Sequence, residues 1–104
     1  MSNSYRFHPQ ASADLQEIWK FGAENSPEAA DRVVQQIYIS IQAWVPFPQQ
    51  GHRRPDITSR ALRFRLVHKY LIVYAPDERP LLILAVVHGY RSPKLMTSIL
   101  RGRC

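Results

Sequence analysis

The sequence predicts an α+β fold in which an N-terminal helical hairpin packs on one face of a small, mainly antiparallel sheet. Apolar residues recur with helical spacing over residues 15–45, and the spacing changes to the alternation typical of β-strands from residue 62 onward. A continuous apolar run, LLILAVV at 81–87, is what a central strand buried on both faces requires. The predicted order is β-α-α-β-β-β-α, a layered architecture that ends in a short helix.

The first half of the chain is predicted to hold a short strand at residues 5–8 and two helices. Ser12 can cap the first helix, which should end near Asn25. Ser26 and Pro27 mark the start of the second helix, because proline fits the first helical position. The apolar positions with helical spacing are Leu15, Ile18, Trp19 and Gly22 in the first helix, then Ala30, Val33, Val34, Ile37, Ile41, Trp44 and Val45 in the second.

The second half is predicted to form three strands and the last helix. The segment 62–67 alternates, so one face should be apolar and the other, with Arg63 and Arg65, largely basic. Lys69 marks the turn to the next strand, and Pro93 can begin a helix that runs to about Leu100. The apolar face of the first of these strands is predicted to contain Leu62, Phe64 and Leu66, and the buried side of the last helix Leu95, Met96 and Ile99.

The length of the chain limits the number of domains, and its charge distribution limits the classes of partner. A chain of 104 residues predicts one domain, spanning residues 1–104. Residues 1–50 carry three Lys/Arg and five Asp/Glu, whereas residues 51–104 carry eleven Lys/Arg and three Asp/Glu. The net charge of +6 therefore belongs to the second half, which suggests an anionic partner, either nucleic acid or an acidic protein. A merely solvated basic face is the simpler alternative.

Several classes of function are disfavoured. LLILAVV is too short to span a membrane, and the N-terminus lacks the apolar segment of a signal peptide. The single cysteine, Cys104, permits no internal disulfide and fits a reducing cytoplasm. Neither a metal site nor a cofactor is expected, because no Gly-rich phosphate loop is present and no pair of the four histidines has ligand spacing. Those histidines are His8, His52, His68 and His88.

Ribonuclease chemistry is the enzymatic alternative that the residue types allow. A metal-independent nuclease needs a base, an acid and a cation for the developing phosphorane charge. Each candidate also has a structural interpretation: His88 can cap a strand end, Tyr90 can cover the sheet edge, and Arg91 can pair with a carboxylate or cap the last helix. The nuclease candidates are Arg63, Arg65, His88, Tyr90 and Arg91.

The whole pattern resembles the RelE/ParE toxin superfamily of type II toxin–antitoxin systems. The opening strand followed by A-x-x-D-L-x-x-I-W is similar to the first strand and helix of that superfamily. The segment RFRLVHKYLIVYAPDERPLLILAVVHGYR resembles the ParE branch, in which a Y-L-I-x-Y strand precedes a run ending in His-Gly-x-Arg. The family pattern usually continues with Asp, where this chain has Ser92, so a local pairing of that residue with Arg91 is not expected.

The resemblance implies a growth-inhibiting toxin that an antitoxin encoded beside it neutralises. The ParE branch poisons DNA gyrase, whereas the RelE branch cleaves mRNA on the ribosome. The last helix, PKLMTSILRGRC, has no Tyr, His or Glu, so the RelE-type set is incomplete and the gyrase interpretation is favoured. Tyr90 keeps the nuclease alternative open. A third interpretation, which Ser92 alone supports, is a homologue that binds antitoxin but has lost its target site.

Two surfaces are therefore predicted. A target surface should bind gyrase without breaking a bond, while the seam of the helical hairpin and the basic sheet beside it should bind a ParD-like antitoxin. Operator DNA would be reached only through that antitoxin. The target surface is expected to contain His88, Tyr90, Arg91, Lys94, Arg101 and Arg103. The antitoxin surface is expected to contain Leu15, Trp19, Val34, Ile37, Ile41, Arg63 and Arg65.

Overall fold

A computed structural model describes residues 4–103, and Cys104 lies outside them. The predicted α+β class and order are confirmed, with one short 3₁₀ turn, Pro48–Gln50, added after the hairpin. The elements are β1 (Tyr5–Phe7), α1 (Pro9–Ala23), α2 (Pro27–Trp44), β2 (Arg63–Val67), β3 (Tyr70–Ala75), β4 (Leu81–His88) and α3 (Pro93–Arg101).

The two hairpin helices begin with different caps. Ser26 caps α2 as predicted, since its side chain accepts a hydrogen bond from the backbone N–H of Ala29 at 3.2 Å. The predicted start of α1 at Ser12 is wrong, because Pro9 occupies the first helical position and His8 precedes it as the cap. The Nδ1 atom of His8 accepts from the N–H of Gln10 at 3.1 Å, so an imidazole does the work expected of a serine.

The sheet has the strand order β1-β4-β3-β2. β1 runs parallel to β4, whereas β3 runs antiparallel to both β4 and β2, so the sheet is mainly antiparallel as predicted. β4 has neighbours on both sides, and its residues Leu81–Val87 are all buried, which confirms the central position that the apolar run indicates. A bulge in the β3–β4 register leaves Leu84 without a cross-strand partner.

Both faces of the sheet are covered, as the apolar run of β4 predicts, although the sequence identified only the hairpin as a cover. The hairpin packs on the first face, over a core that includes Leu15, Ile37, Trp44 and Ile83. The second face lies beneath α3 and the loop that precedes β2; its core residues are Ile57, Leu62, Phe64, Leu71, Val73, Leu82, Leu84, Ala85, Val87, Met96 and Leu100. The loop is fastened to α3 by Thr97, whose hydroxyl donates to the carbonyl oxygen of Ile57 at 2.6 Å.

Two predictions of burial are wrong at the margins of this second core. Leu66 is 63% exposed, because it lies on the edge strand beyond the residues that the loop covers, while Val67 is buried against the hairpin. In α3 the buried side chains are Met96 and Leu100, one turn apart, and Leu95 is 42% exposed. The helix is thus rotated from the predicted orientation, with Ile99 half-buried.

Candidate functional site

Two chain segments meet at one end of the sheet and form what we call the basic tip. The turn between β2 and β3 contributes His68 and Lys69. The segment from the end of β4 to the first turn of α3 contributes His88, Tyr90, Arg91 and Lys94. The backbone N–H of Gly89 donates to the carbonyl oxygen of Lys69 at 2.8 Å and joins the two segments.

Gly89 is required here for close packing. A Cβ atom at this position would lie 3.1 Å from Cδ1 of Leu66 and 3.2 Å from the carbonyl oxygen of Lys69. A left-handed backbone conformation is not what selects glycine here, since its φ angle is not positive. The positive φ, 56°, falls instead on His68 in the two-residue turn between β2 and β3.

His88 is held between two tyrosine rings. Its ring centroid lies 5.7 Å from that of Tyr70, edge to face, and 4.7 Å from that of Tyr90. Its Nδ1 atom accepts from the backbone N–H of Tyr90 at 3.4 Å, and its carbonyl oxygen accepts from the N–H of Arg91 at 3.2 Å. His88 therefore acts as the strand-end cap considered for it, while the ring of Tyr90 stays 83% exposed.

Ser92 begins the last helix. Its hydroxyl oxygen accepts a hydrogen bond from the backbone N–H of Leu95 at 3.2 Å, the interaction that defines an N-cap. Serine and aspartate are equally good in this position, so the departure from the family pattern leaves the start of α3 intact. Arg91 makes no ion pair within residues 4–103, as expected without an aspartate beside it.

A groove of about 460 Å³ runs beside the tip, between α1, the end of β4 and α3. Its apolar lining includes Phe21, Ile18, Leu95 and Ile99. Its other lining residues include His88 and the charged residues Asp14, Glu17, Lys69, Arg91 and Arg103. A second depression of about 410 Å³ continues from it along α1 and shares Ile18, Phe21, Lys69 and Tyr70. We call this continuous surface the tip groove.

A buried ion pair closes the inner end of the groove. Nη1 of Arg103 lies 2.7 Å from Oδ2 of Asp14, and Nη2 lies 3.2 Å from Oδ1. Arg103 also donates to the carbonyl oxygen of Leu84 at 2.9 Å, and Asp14 accepts from the backbone N–H of Val86 at 3.0 Å. β1 pairs only with residues 81–83, so the ion pair supplies partners for β4 backbone groups beyond the end of β1.

This pair is the main element of the site that sequence reasoning missed. From the sequence no partner is predicted for Asp14, and Arg103 is predicted to lie on an exposed target surface. The prediction for Arg103 is corrected by its burial, since the residue is only 8% exposed. The available signal was a carboxylate among the apolar positions of α1, which a buried position obliges to find a cation.

The structure brings together four of the predicted target residues: His88, Tyr90, Arg91 and Lys94. Arg101 is exposed at the far end of α3, two turns from Lys94. It therefore lies apart from the tip.

The predicted nuclease residues lie in two separate places, with Arg63 and Arg65 on β2 and the other three at the basic tip. Arg63 donates to the carbonyl oxygen of Gly51 at 3.1 Å and to Gln49 at 2.7 Å, and the guanidinium of Arg65 lies 5.0 Å from the ring centroid of Trp44. The strand register places Arg65 opposite Ile72 and Val86, two strands from the strand that carries His88. Standard sheet spacings then separate the Cα atoms of Arg65 and His88 by about 12 Å.

Some of the predicted antitoxin residues are buried in the core and others are at least partly exposed. Leu15, Ile37 and Ile41 are buried in the core beneath the hairpin and have no surface to offer a partner, which corrects their assignment. Trp19 is partly exposed, and its indole N–H donates to Asp31 at 2.7 Å, which ties α1 to α2. Val34 is half-buried on the hairpin.

Neither a membrane span nor a metal cluster is found in the part of the chain that the structure describes. Within residues 4–103 no helix is long and apolar enough to cross a bilayer. No group of three or more His, Cys, Asp and Glu side chains there could hold a metal ion.

Comparison with known proteins identifies the family. A search of curated proteins found no match. A family model described as "ParE toxin of type II toxin-antitoxin system, parDE" matches residues 5–93. The match extends from β1 through the His88–Arg91 segment to the first residue of α3, so it includes most of the fold and nearly all of the basic tip. The chain belongs to the ParE toxin family of type II toxin–antitoxin systems.

Proposed function

We propose that this toxin poisons DNA gyrase without cutting nucleic acid itself, and that a ParD-like antitoxin neutralises it in the cytoplasm. The observation that carries the proposal is the family match over residues 5–93. The basic tip is the natural target surface, because Lys69, Arg91 and Lys94 are exposed and make no ion pair within residues 4–103.

The separation of the predicted nuclease residues in the structure supports a non-enzymatic role. General acid–base cleavage needs the base, the acid and the cation within hydrogen-bond reach of the same phosphodiester. Arg63 and Arg65 are engaged on β2 with backbone, glutamine and indole groups. By sheet spacing the Cα atom of Arg65 lies about 12 Å from that of His88, and Arg63 lies farther away. The Nδ1 atom of His88 is occupied by a backbone N–H. The tip alone offers cations and an exposed phenol, which suit binding better than cleavage.

The antitoxin is expected to cover exposed parts of the hairpin and the basic second half of the chain. Trp19 and Val34 remain available from the predicted set, and Ile39 adds an exposed aliphatic side chain on α2. The net charge of +6 favours an acidic, flexible segment that becomes ordered on binding. Operator DNA would then be bound through the antitoxin, since the toxin contributes neutralisation and not base recognition.

The test is supercoiling by purified gyrase with the purified toxin added, scored for cleaved DNA complexes. We expect inhibition with trapped cleavage complexes, and addition of the antitoxin should restore activity. Arg91→Ala should weaken inhibition while it leaves antitoxin binding nearly unchanged, and Arg53→Ala, an exposed arginine away from the tip, is the matched control.

Absence of any effect on gyrase, together with mRNA cut within codons in a translating extract, would overturn the proposal in favour of the nuclease. Equal loss of gyrase inhibition and antitoxin binding in Arg91→Ala would show that Arg91 is structural.

A further inference from the structure

Two exposed aromatic residues lie at the tip: Phe21 lines the tip groove, and Tyr90 lies beside it next to Arg91, which makes no ion pair within residues 4–103. Tyr90 is 83% exposed and Phe21 is 69% exposed, although aromatic residues normally bury most of their area. Lys69 and Arg91 line the groove with Phe21, and His88 fixes Tyr90 beside it. Exposed aromatic rings can stack on a flat group, and unpaired cations attract negative charge, so this surface suits a partner that has both features.

The positive charges of the groove exceed the carboxylates that line it within residues 4–103. Of the two carboxylates that line it within residues 4–103, Asp14 is already paired with Arg103, which leaves Glu17 against Lys69 and Arg91. Elsewhere on the molecule arginines are engaged by protein groups. Examples are Arg6 with Glu78, Arg54 with Asp56, Arg60 with the carbonyl oxygen of Arg103, and Arg79 with the carbonyl oxygen of Pro76. Arg53 and Arg101 are also exposed without an ion pair within residues 4–103, so what distinguishes the tip is that its unpaired cations lie beside exposed aromatic residues.

We propose that the tip groove binds single-stranded nucleic acid, with Lys69 and Arg91 on phosphates and with Tyr90 and Phe21 stacked on bases. A cationic groove with aromatic platforms is the general means by which proteins hold single strands, because every base has a face on which a ring can stack. A duplex fits this surface poorly, since its bases are already stacked on one another and present only their edges.

The geometry also explains why the ring of Tyr90 is a defined platform. Its backbone N–H is bound to His88, its ring leans on the imidazole at 4.7 Å, and the imidazole in turn rests on Tyr70. The adjoining Gly89 is fastened to the β2–β3 turn. Stacking on a ring that is already positioned costs less conformational entropy than ordering a free side chain. This inference goes beyond gyrase inhibition and stands without it.

The experiment is fluorescence anisotropy of the full-length toxin with labelled dT20, U20 and a 20-base-pair hairpin duplex over a series of NaCl concentrations. We expect dT20 or U20 to bind more tightly than the duplex. Tyr90→Ala and Phe21→Ala should each weaken single-strand binding by about fivefold to 100-fold, and Tyr90→Phe should retain it. Lys69→Ala and Arg91→Ala should each lower the slope of log affinity against log salt by about 0.7.

Matched controls come from the same chain. Phe47 is an exposed ring beyond the end of α2, opposite the end of the hairpin that carries Phe21, and Arg53 is an exposed arginine outside the groove. Phe47→Ala and Arg53→Ala should leave binding unchanged. A preference for U20 over dT20 would identify RNA as the source of the strand, a preference for dT20 would identify DNA, and equal binding would support recognition of shared features.

Three results would overturn the inference. Equal affinity for single strand and duplex would reduce the effect to general charge attraction. Equal losses in Tyr90→Ala and Phe47→Ala would remove the ring platform from the explanation. No binding of dT20 or U20 at low salt would assign the tip to an acidic protein partner, whatever the outcome with gyrase.

Discussion

The buried ion pair between Asp14 and Arg103 gives the sharpest test of what holds the two layers together. Asp14 lies on α1, on one face of the sheet, and Arg103 follows α3 on the other, so the pair joins the layers around the free edge of β4. The side chains are 19% and 9% exposed, which leaves little water to replace a missing partner. Asp14→Ala would leave the buried guanidinium of Arg103 without its carboxylate and the N–H of Val86 without an acceptor.

Removal of one partner from a buried pair typically costs about 3–5 kcal/mol. We expect Asp14→Ala near the upper end of that range, because Arg103 is the more deeply buried partner and its Nε atom already lacks a hydrogen bond within the described residues. Arg103→Ala should cost somewhat less, since the carboxylate of Asp14 can gain some water. The double variant should cost clearly less than the sum, as neither charge is then left alone.

The assay is urea unfolding followed by tryptophan fluorescence, with the free energy of unfolding extrapolated to water. With a slope of about 1–2 kcal/mol per molar urea, each single substitution should lower the midpoint by roughly 2 M or more. The control is the pair Arg6–Glu78, separated by 3.4 Å and half exposed, whose loss should cost at most about 1 kcal/mol. Single losses as small as this control, or strictly additive losses in the double variant, would refute the reasoning.

Three further predictions concern single side chains. Ser92→Ala should lower the free energy of unfolding by about 1 kcal/mol in thermal melts while Ser92→Asp should not, because both serine and aspartate can accept from the N–H of Leu95; equal loss in both variants would contradict the capping role. Gly89→Ala should lower the free energy of unfolding by about 1–3 kcal/mol in the same measurement, since the added Cβ would lie 3.2 Å from a backbone carbonyl oxygen. An unchanged melting temperature would show that the backbone of the tip can shift to accommodate the Cβ. Burial raises the pKa of Tyr74, so the folded state binds the phenol proton more tightly than the unfolded state does. The resulting stabilisation is complete below the unfolded pKa of about 10 and is lost as the pH rises through the folded pKa. Tyr74→Phe should therefore show a weaker fall in the free energy of unfolding over that alkaline range.

Much of the fold follows from local patterns in the sequence. The apolar run of β4 predicts a central strand because a strand with neighbours on both sides and layers on both faces has no solvated position. The Ser26–Pro27 pair predicts the start of α2 because capping and proline geometry act within one turn of helix. Such signals need no knowledge of the rest of the chain.

The failures arise where burial depends on distant segments. Leu66 alternates correctly with its neighbours, yet it is exposed because the loop that covers Phe64 ends short of it. Leu15, Ile37 and Ile41 have the right helical spacing for a docking seam, but the sheet itself occupies that seam. Periodicity shows which residues share a face, and only the tertiary structure shows whether a partner or the protein's own core covers it.

The placement of Arg103 shows how a short strand shapes the candidate site. β1 has three residues, and β4 has eight, so backbone groups of β4 beyond residue 83 lack a neighbouring strand on that side. A buried carbonyl or N–H without a partner is costly, and the Asp14–Arg103 pair meets that need with one carboxylate and one guanidinium. The same pair links α1 and the end of α3 beside β4, where Phe21 of α1 and Leu95 of α3 both line the tip groove. The shape of the candidate binding surface is therefore set by a requirement of the sheet edge, through residues that lie at the two ends of the chain.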